Sequence, residues 1–106
     1  MAARSFTLDK RRQGNITVER TIVDDVGEQI QVILHNTAVV VKMPDGRVML
    51  NSGGWSTLTT KTAINQALRL LGRAERVVMK SGHWFLVQRD GKKEIRADFF
   101  DGMCLR

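Results

Sequence analysis

Hydroxyl side chains, two glycines and a tryptophan are concentrated between Asn51 and Gln66, where the sequence reads NSGGWSTLTTKTAINQ. The adjacent Gly53 and Gly54 let a backbone approach a ligand closely, and Trp55 offers an aromatic face. The segment contains no acidic residue, and its hydroxyls belong to Ser52, Ser56, Thr57, Thr59, Thr60 and Thr62. A helix start of this composition offers unpaired N–H groups and partial positive charge to an external anion such as a phosphate.

Each feature of this segment also has a structural interpretation. It is not a Walker loop, because the pattern G-x-x-x-x-G-K-[ST] does not occur and Lys61 lies seven residues beyond Gly54. Trp55 either stacks on a base, which is worth about 1–3 kcal/mol per base in single-strand binders, or closes one end of the core. The hydroxyls either line a ligand site or only cap the helix.

Cations recur along the helix that is predicted to follow. Lys61, Asn65, Arg69 and Arg73 are four residues apart, so they lie on one stripe that drifts slowly around the helix. We expect Asn65 to reach a base edge while the cations contact phosphates; the alternative is an ordinary solvated helix face. A secondary basic cluster surrounds the last predicted hairpin and comprises Arg89, Lys92, Lys93 and Arg96.

The titratable residues give little support to catalysis. Histidine is the commonest general acid or base, but no spacing motif joins His35 or His83 to a nucleophile or to a carboxylate pair. The single cysteine, Cys104, cannot close an intramolecular disulfide, and a structural zinc site would need more ligands. We therefore expect no enzymatic activity, no cofactor and no metal; a metal-free nuclease using His35 or His83 is the enzymatic alternative.

Composition describes a single basic globular domain. The chain has 106 residues, 42% of them hydrophobic, and a formal net charge of +6. Residues 59–106 hold ten basic and five acidic residues, whereas residues 1–58 hold seven and six. A localised positive field attracts polyanions such as nucleic acid; the alternative is a charge that only keeps the protein soluble.

Hydrophobic periodicity predicts the strands that precede the hydroxyl-rich segment. Alternating apolar residues predict strands over 15–23 and 29–34. A β-branched run over 37–43 turns at a Pro-Asp-Gly sequence and returns over 47–50, which predicts the clearest hairpin in the chain.

After that segment the period changes to that of a helix. Four apolar residues at i, i+3, i+4 and i+7 predict a helix at about 60–71; they are Ile64, Ala67, Leu68 and Leu71. Thr59 or Thr60 is the predicted N-cap, and Gly72 the predicted stop. Three further strands are predicted, over 75–80, 84–89 and 93–99.

These elements predict an α+β domain over residues 15–106, in which an antiparallel sheet of about five to seven strands carries one helix. Residues 1–14, which hold four cations, are expected to be a flexible basic arm rather than a signal peptide. No apolar run approaches the roughly 20 residues that a bilayer needs. We expect a cytoplasmic protein with no membrane partner, and an exposed strand edge able to pair two copies as a homodimer.

The run SGGW-x-T-x-TTK, followed by Ile64-Asn65-Gln66, resembles a motif of a family of small bacteriophage proteins. A hairpin precedes the run in that family, as predicted here, and a strand containing Trp84-Phe85 in a G-x-W-Φ setting follows the helix. The resemblance covers roughly residues 36–90. It implies a phage or prophage origin and an intracellular role in the bacterial host.

Two functions from different classes follow from these observations. The first is a phage accessory protein that binds DNA or RNA through the cationic helix face and the Gly-rich loop. The second is an inhibitor that binds a host defence or nucleic-acid-processing complex, in the manner of an anti-CRISPR protein, with Trp55 and nearby arginines as interface hot spots.

Overall fold

Two antiparallel sheets and one helix enclose the core in the part of the chain that the computed structural model describes, residues 5–23 and 25–106. The strands are β1 (Ser5–Gln13), β2 (Ile16–Val23), β3 (Gly27–Leu34), β4 (Thr37–Lys42), β5 (Val48–Leu50), β6 (Arg76–Lys80), β7 (His83–Asp90), β8 (Lys93–Asp98) and β9 (Met103–Leu105), and the helix is α1 (Leu58–Leu70). The first sheet has the order β1-β2-β3-β4-β5-β9, and the second has the order β6-β7-β8. The α+β prediction is confirmed.

A row of apolar residues across the first sheet sets its register. Val32 pairs with Val40, Val40 with Leu50, and Leu50 with Met103, and all four are buried. A slip of one residue would turn each of these side chains to the opposite face. Each fully buried side chain of this size contributes about 1.5–3 kcal/mol, so burial fixes the pairing.

The helix closes the core from one side. Its buried face is formed by Thr60, Ala63, Ile64, Ala67 and Leu68, and it contacts β3 and β4 of the first sheet and β6 of the second. The second sheet adds Val77 and Leu86 to the same core. The helical periodicity in the sequence therefore identified the buried stripe correctly.

The N-cap of the helix lies two or three residues before the predicted position. Thr57 is the N-cap, with its Oγ1 accepting a hydrogen bond from the Thr60 N–H at 3.2 Å. Thr60 is buried and bonds the Thr57 hydroxyl, so its position is within the first turn; the predicted cap at Thr59 or Thr60 was wrong. Gly72 does end the helix: it has a φ of 72°, and its N–H donates to the Arg69 carbonyl.

The expected arm over residues 1–14 needs correction where it is described. Residues 5–13 form β1, which pairs with β2 in antiparallel register with a bulge between Thr7 and Asp9. Its side chains stay largely exposed, so burial imposes no apolar alternation on them and the sequence shows no strand pattern. Residues 1–4 of the expected arm lie outside the described residues. Together with the short β9, this strand brings the count among the described residues to nine rather than five to seven.

The Asn65 side chain joins the helix to the free edge of the second sheet. Its Nδ2 donates to the Val77 carbonyl at 2.9 Å, and its Oδ1 accepts from the Val77 N–H at 2.7 Å. Val77 is paired with Leu86 on its other side. The amide therefore completes the hydrogen bonding of an edge strand in the way that a neighbouring strand would.

Replacing Asn65 by alanine tests this connection. Asn65→Ala leaves the N–H and C=O of buried Val77 without these partners, and a buried group left unpaired costs about 1–3 kcal/mol. We expect urea denaturation to show a loss of roughly 2 kcal/mol in the free energy of unfolding. Thr62→Ala, on the exposed side of the same helix, is the control and should change it by less than about 0.5 kcal/mol. Equal stability of the two variants would contradict this role for Asn65.

Candidate nucleic-acid interface

The backbone N–H groups of the Gly-rich loop, residues 51–57, are largely occupied within the loop. The Gly53 N–H donates to Asn51 Oδ1 at 2.8 Å, and the Gly54 N–H donates to Ser52 Oγ at 3.2 Å. The Trp55 N–H donates to the Ser52 carbonyl at 3.2 Å. These three groups are therefore not free to bind an external anion, and anion binding at the N–H groups of the helix start stays a prediction.

A distant carboxylate supplies the negative charge that the loop sequence lacks. Asp101 Oδ1 accepts hydrogen bonds from the Ser52 N–H at 2.8 Å and from Ser52 Oγ at 2.7 Å. Ser52 is buried, so this contact fixes the start of the loop. The absence of acidic residues between Asn51 and Gln66 thus reflects a partner 49 residues away in sequence.

Trp55 stands out from the loop with 67% of its surface exposed. The interpretation that it closes the core is wrong, and its availability for stacking stays a prediction. It forms one wall of a cavity of about 500 Å³, which we call the Trp55 cavity, lined by Leu34, His35, Asn36, Thr37, Val39, Ser52, Trp55, Thr57, Thr59 and Thr60.

Gly53 is required beside this cavity for two reasons. Its φ of +67° lies in the left-handed region, and a Cβ at this position would come within 2.8 Å of the Thr37 side chain. Thr37 therefore packs directly on the loop. Gly54 also has a positive φ, of 84°, but a Cβ there would meet open space, so only its backbone conformation calls for glycine. Ser56 is exposed at the other side of the loop.

The predicted helix stripe is divided between internal and exposed residues. The Asn65 amide is bonded to Val77, so it does not reach a base edge. Arg73 donates two hydrogen bonds to the buried Glu75 carboxylate, at 3.0 and 2.6 Å, and one to the main-chain oxygen of Arg106. Lys61 is half-buried and Arg69 exposed. They lie one turn on either side of Asn65 on the same stripe, along the edge of β6.

Strand register places Arg89 and Arg96 of the secondary basic cluster on the outer side of the second sheet. Val87 pairs with Arg76 on one side and with Arg96 on the other, so all three project from the same face. Val87 is buried, although it lies between two arginines of the neighbouring strands. The Arg96 guanidinium also lies 5.1 Å from the centroid of the Phe85 ring, a cation–π contact.

We call this side of the sheet the outer basic face, defined by Arg76, Lys80, Arg89 and Arg96 around Phe85. None of its four cations forms an ion pair with a carboxylate in the described part of the chain, although Glu94 and Asp98 share the face. Lys92 and Lys93 are exposed at the adjoining hairpin tip.

Sequence reasoning had singled out the cations of β7 and β8 but not those of β6. Arg76 and Lys80 flank Val78 at alternate positions, and that period of two was the available signal for a shared face. It was missed because the strand was considered without its neighbours: only the pairing of Arg76 with Val87 and of Lys80 with His83 brings these cations to the side of Phe85.

The first sheet and its β4–β5 turn, in contrast, hold two arginines that are closely paired with neighbouring carboxylates. Arg20 Nε lies 2.6 Å from Glu28 Oε1, and Arg47 Nε lies 2.7 Å from Asp45 Oδ2. The hydrogen bond from Arg20 holds the pKa of Glu28 below its usual range, and the Arg47 N–H and guanidinium do the same for the pKa of Asp45. These small contributions to stability are present at neutral pH and are lost as the pH falls through the lowered pKa values.

The two histidines lie in different clefts. His35 lines the Trp55 cavity, while His83 lines a second cleft of about 600 Å³ that also includes Ser52, Phe85 and Phe100. No group of three or more His, Cys, Asp or Glu side chains is placed to hold a metal ion among residues 5–23 and 25–106. The one helix of this part of the chain is too short and too polar to cross a membrane.

The Ser52–Asp101 contact makes a prediction about the loop. Asp101→Ala leaves the buried Ser52 N–H and hydroxyl without their acceptor, and because that acceptor is charged we expect a loss of roughly 2–3 kcal/mol in the free energy of unfolding. Limited proteolysis should then cleave near residues 53–56 faster than in the unchanged protein. Asp98→Ala, which removes an exposed carboxylate nearby, is the control; the same loss in both variants would show that Asp101 has no special role.

Comparison with known proteins identifies a family but no curated relative. No curated protein and no solved structure matches the chain. The family model described as Kyanoviridae Gp96 protein matches residues 3–106, which is nearly the whole chain. The chain therefore belongs to the Kyanoviridae Gp96 family, a family of small phage proteins.

Proposed function

We propose that this phage protein binds nucleic acid through the outer basic face, assisted by Lys61 and Arg69 of the helix. The observation that carries the proposal is the set of four cations around Phe85, none of them paired with a described carboxylate. Unpaired cations on one face neutralise phosphates and release counterions, which is the main source of affinity for nucleic acid.

The Asn65 connection supports a larger surface than the second sheet alone. Because the Asn65 amide bonds the backbone of β6, the helix runs alongside that edge. Lys61 and Arg69 then extend the positive charge sideways from Arg76 and Lys80 on β6. Lys61 and Arg69 of the predicted stripe are therefore part of the proposed interface. The other two residues of the stripe, Asn65 and Arg73, form hydrogen bonds within the protein.

A single strand suits this face better than a duplex. Phe85 shares the face with the cations and has the Arg96 guanidinium against its ring, and planar groups of this kind stack on unpaired bases. Phosphate contacts alone would not distinguish the two forms, because both present the same backbone charge. The expected order of affinity is therefore single strand above duplex.

A double substitution tests the proposal by fluorescence anisotropy. Each phosphate contact on a single strand contributes about 0.7 to the slope of log affinity against log salt concentration. Arg89→Ala with Arg96→Ala should therefore reduce the slope by about 1.4 and weaken binding roughly 10- to 100-fold at about 50 mM salt.

The matched control removes the same charge from the first sheet. Arg20→Ala with Arg47→Ala takes away two arginines that are already paired with carboxylates, and we expect less than about a threefold change in affinity from it. No binding by the unchanged protein even at low salt, or equal losses in both double variants, would contradict the outer basic face as the interface.

A protein partner is the second candidate, supported by two exposed apolar side chains at the helix start. Trp55 and Leu58 are 67% and 73% exposed, and tryptophan is enriched among the residues that dominate protein interfaces. Large exposed apolar groups close together often mark such an interface. In this alternative the protein would bind a host defence or nucleic-acid-processing complex.

Affinity capture from nuclease-treated host lysate tests this alternative. A host protein retained in stoichiometric amount by the unchanged chain, lost on Trp55→Ala with Leu58→Ala, and retained by the Arg89→Ala, Arg96→Ala variant would support the protein partner. Loss of every partner after nuclease treatment would count against it and favour nucleic acid.

A further inference from the structure

We propose that the Trp55 cavity accepts one nucleobase, an inference that rests on the proposed binding of nucleic acid. The cavity has an apolar floor formed by the buried Leu34 and Val39, and the Trp55 ring stands at its rim. Its volume of about 500 Å³ is ample for a planar heterocycle. An aromatic wall over an apolar floor is the usual environment for an unstacked base.

The polar groups of the cavity separate into those used by the fold and those left available. Ser52, Thr57 and Thr60 are engaged in hydrogen bonds with Asp101, with the loop or with each other. The side chains of His35, Asn36 and Thr59, in contrast, make no hydrogen bond within the described part of the chain. An imidazole, an amide and a hydroxyl together supply the donors and acceptors that the edge of a base requires.

The cavity is chemically suited to a neutral ligand. Its lining, as the structure describes it, includes no Lys, Arg, Asp or Glu, and the N–H groups of Gly53, Gly54 and Trp55 are already bonded. A phosphate would find no cation here to balance its charge. The base is the neutral aromatic part of a nucleotide, so the cavity and the outer basic face would bind different parts of the same ligand.

The two surfaces are connected through the loop. Ser52 lines the Trp55 cavity and also the second cleft, and Phe85 of the outer basic face lines that second cleft. The polar rim is also held in place: Leu34 pairs with Thr37, which makes His35 and Asn36 a two-residue turn between β3 and β4. A single strand of nucleic acid that crosses the outer basic face can therefore continue to the loop and place one base beside Trp55.

The experiment compares two oligonucleotides of equal charge, a single-stranded oligodeoxyadenylate of about twelve nucleotides and an abasic strand of the same length. Trp55→Leu keeps an apolar side chain but removes the stacking surface. It should weaken binding of the oligodeoxyadenylate about tenfold and leave binding of the abasic strand unchanged. Trp55→Phe should restore most of the loss, and Asn36→Ala should weaken only the base-containing strand.

Leu58→Ala is the matched control, because Leu58 is as exposed as Trp55 but lies outside the lining of the cavity. It should leave both affinities unchanged. Adenosine monophosphate alone distinguishes a free nucleotide from a base within a strand: saturable quenching that is lost in Trp55→Leu would show that the cavity takes the free ligand too, and would support the inference even if no oligonucleotide bound.

Two results would overturn the inference and leave the proposed function intact. One is an equal loss of both oligonucleotides in Trp55→Leu, and the other is no loss of either, provided that binding still depends on salt and on Arg89 and Arg96. If neither the oligonucleotides nor adenosine monophosphate bind, while Trp55→Leu abolishes capture of a nuclease-resistant host protein, the cavity and the nucleic-acid function are both overturned in favour of a protein interface.

Discussion

Two hydrogen bonds between the Asn65 amide and the Val77 backbone hold the second sheet against the helix. In the described part of the chain this sheet has three strands, and none of them pairs with a strand of the first sheet. Its position therefore depends on apolar packing, by Val77 and Leu86 in the core and by Trp84 and Phe99 against it, together with this polar contact at its edge. Apolar contact gives little directional preference, whereas the amide fixes both the distance and the orientation of the helix along β6. Because the second sheet is held against the helix and the core, the orientation of the outer basic face is fixed as well.

Charge is distributed differently on the two sheets. Arg20 on the first sheet and Arg47 in the turn between β4 and β5 lie within hydrogen-bonding distance of neighbouring carboxylates, so their fields largely cancel a short distance away. On the outer basic face the cations outnumber the two carboxylates of the same face, and the Arg96 guanidinium lies over the Phe85 ring. The uneven charge of the two halves of the sequence thus becomes a localised field on one side of a sheet.

The sequence predicted the elements whose burial leaves a periodic pattern. The helix, the hairpin over residues 37–50 and the strands β6 and β7 were predicted for this reason, with boundaries displaced by at most two residues. The fully exposed β8 was predicted instead from the Asp90-Gly91 turn that precedes it. β1 was missed because its side chains are largely exposed, and β9 because three residues are too few to show a period. The functions of Asn65 and Arg73 were also beyond prediction. Asn65 bonds Val77 on another element, and spacing along one helix contains no information about that contact. Arg73 lies beyond the end of the helix, where it bonds Glu75 and the distant Arg106.

The loop before the helix shows how one composition supports two different kinds of site. Glycines, hydroxyls and the absence of acidic residues are typical of an anion site at a helix start, and the same residues also build a neutral cavity once a distant carboxylate is present. Asp101 accepts hydrogen bonds from the Ser52 N–H and hydroxyl, and the amides of Gly53, Gly54 and Trp55 bond within the loop. The Trp55 ring and the side chains of His35 and Asn36 in the β3–β4 turn remain available to a ligand. Charge recognition is then left to the cations of the second sheet and the helix, and shape and hydrogen bonding to the cavity. This separation of phosphate contacts from base contacts is how nucleic-acid-binding proteins generally obtain affinity and selectivity from different surfaces.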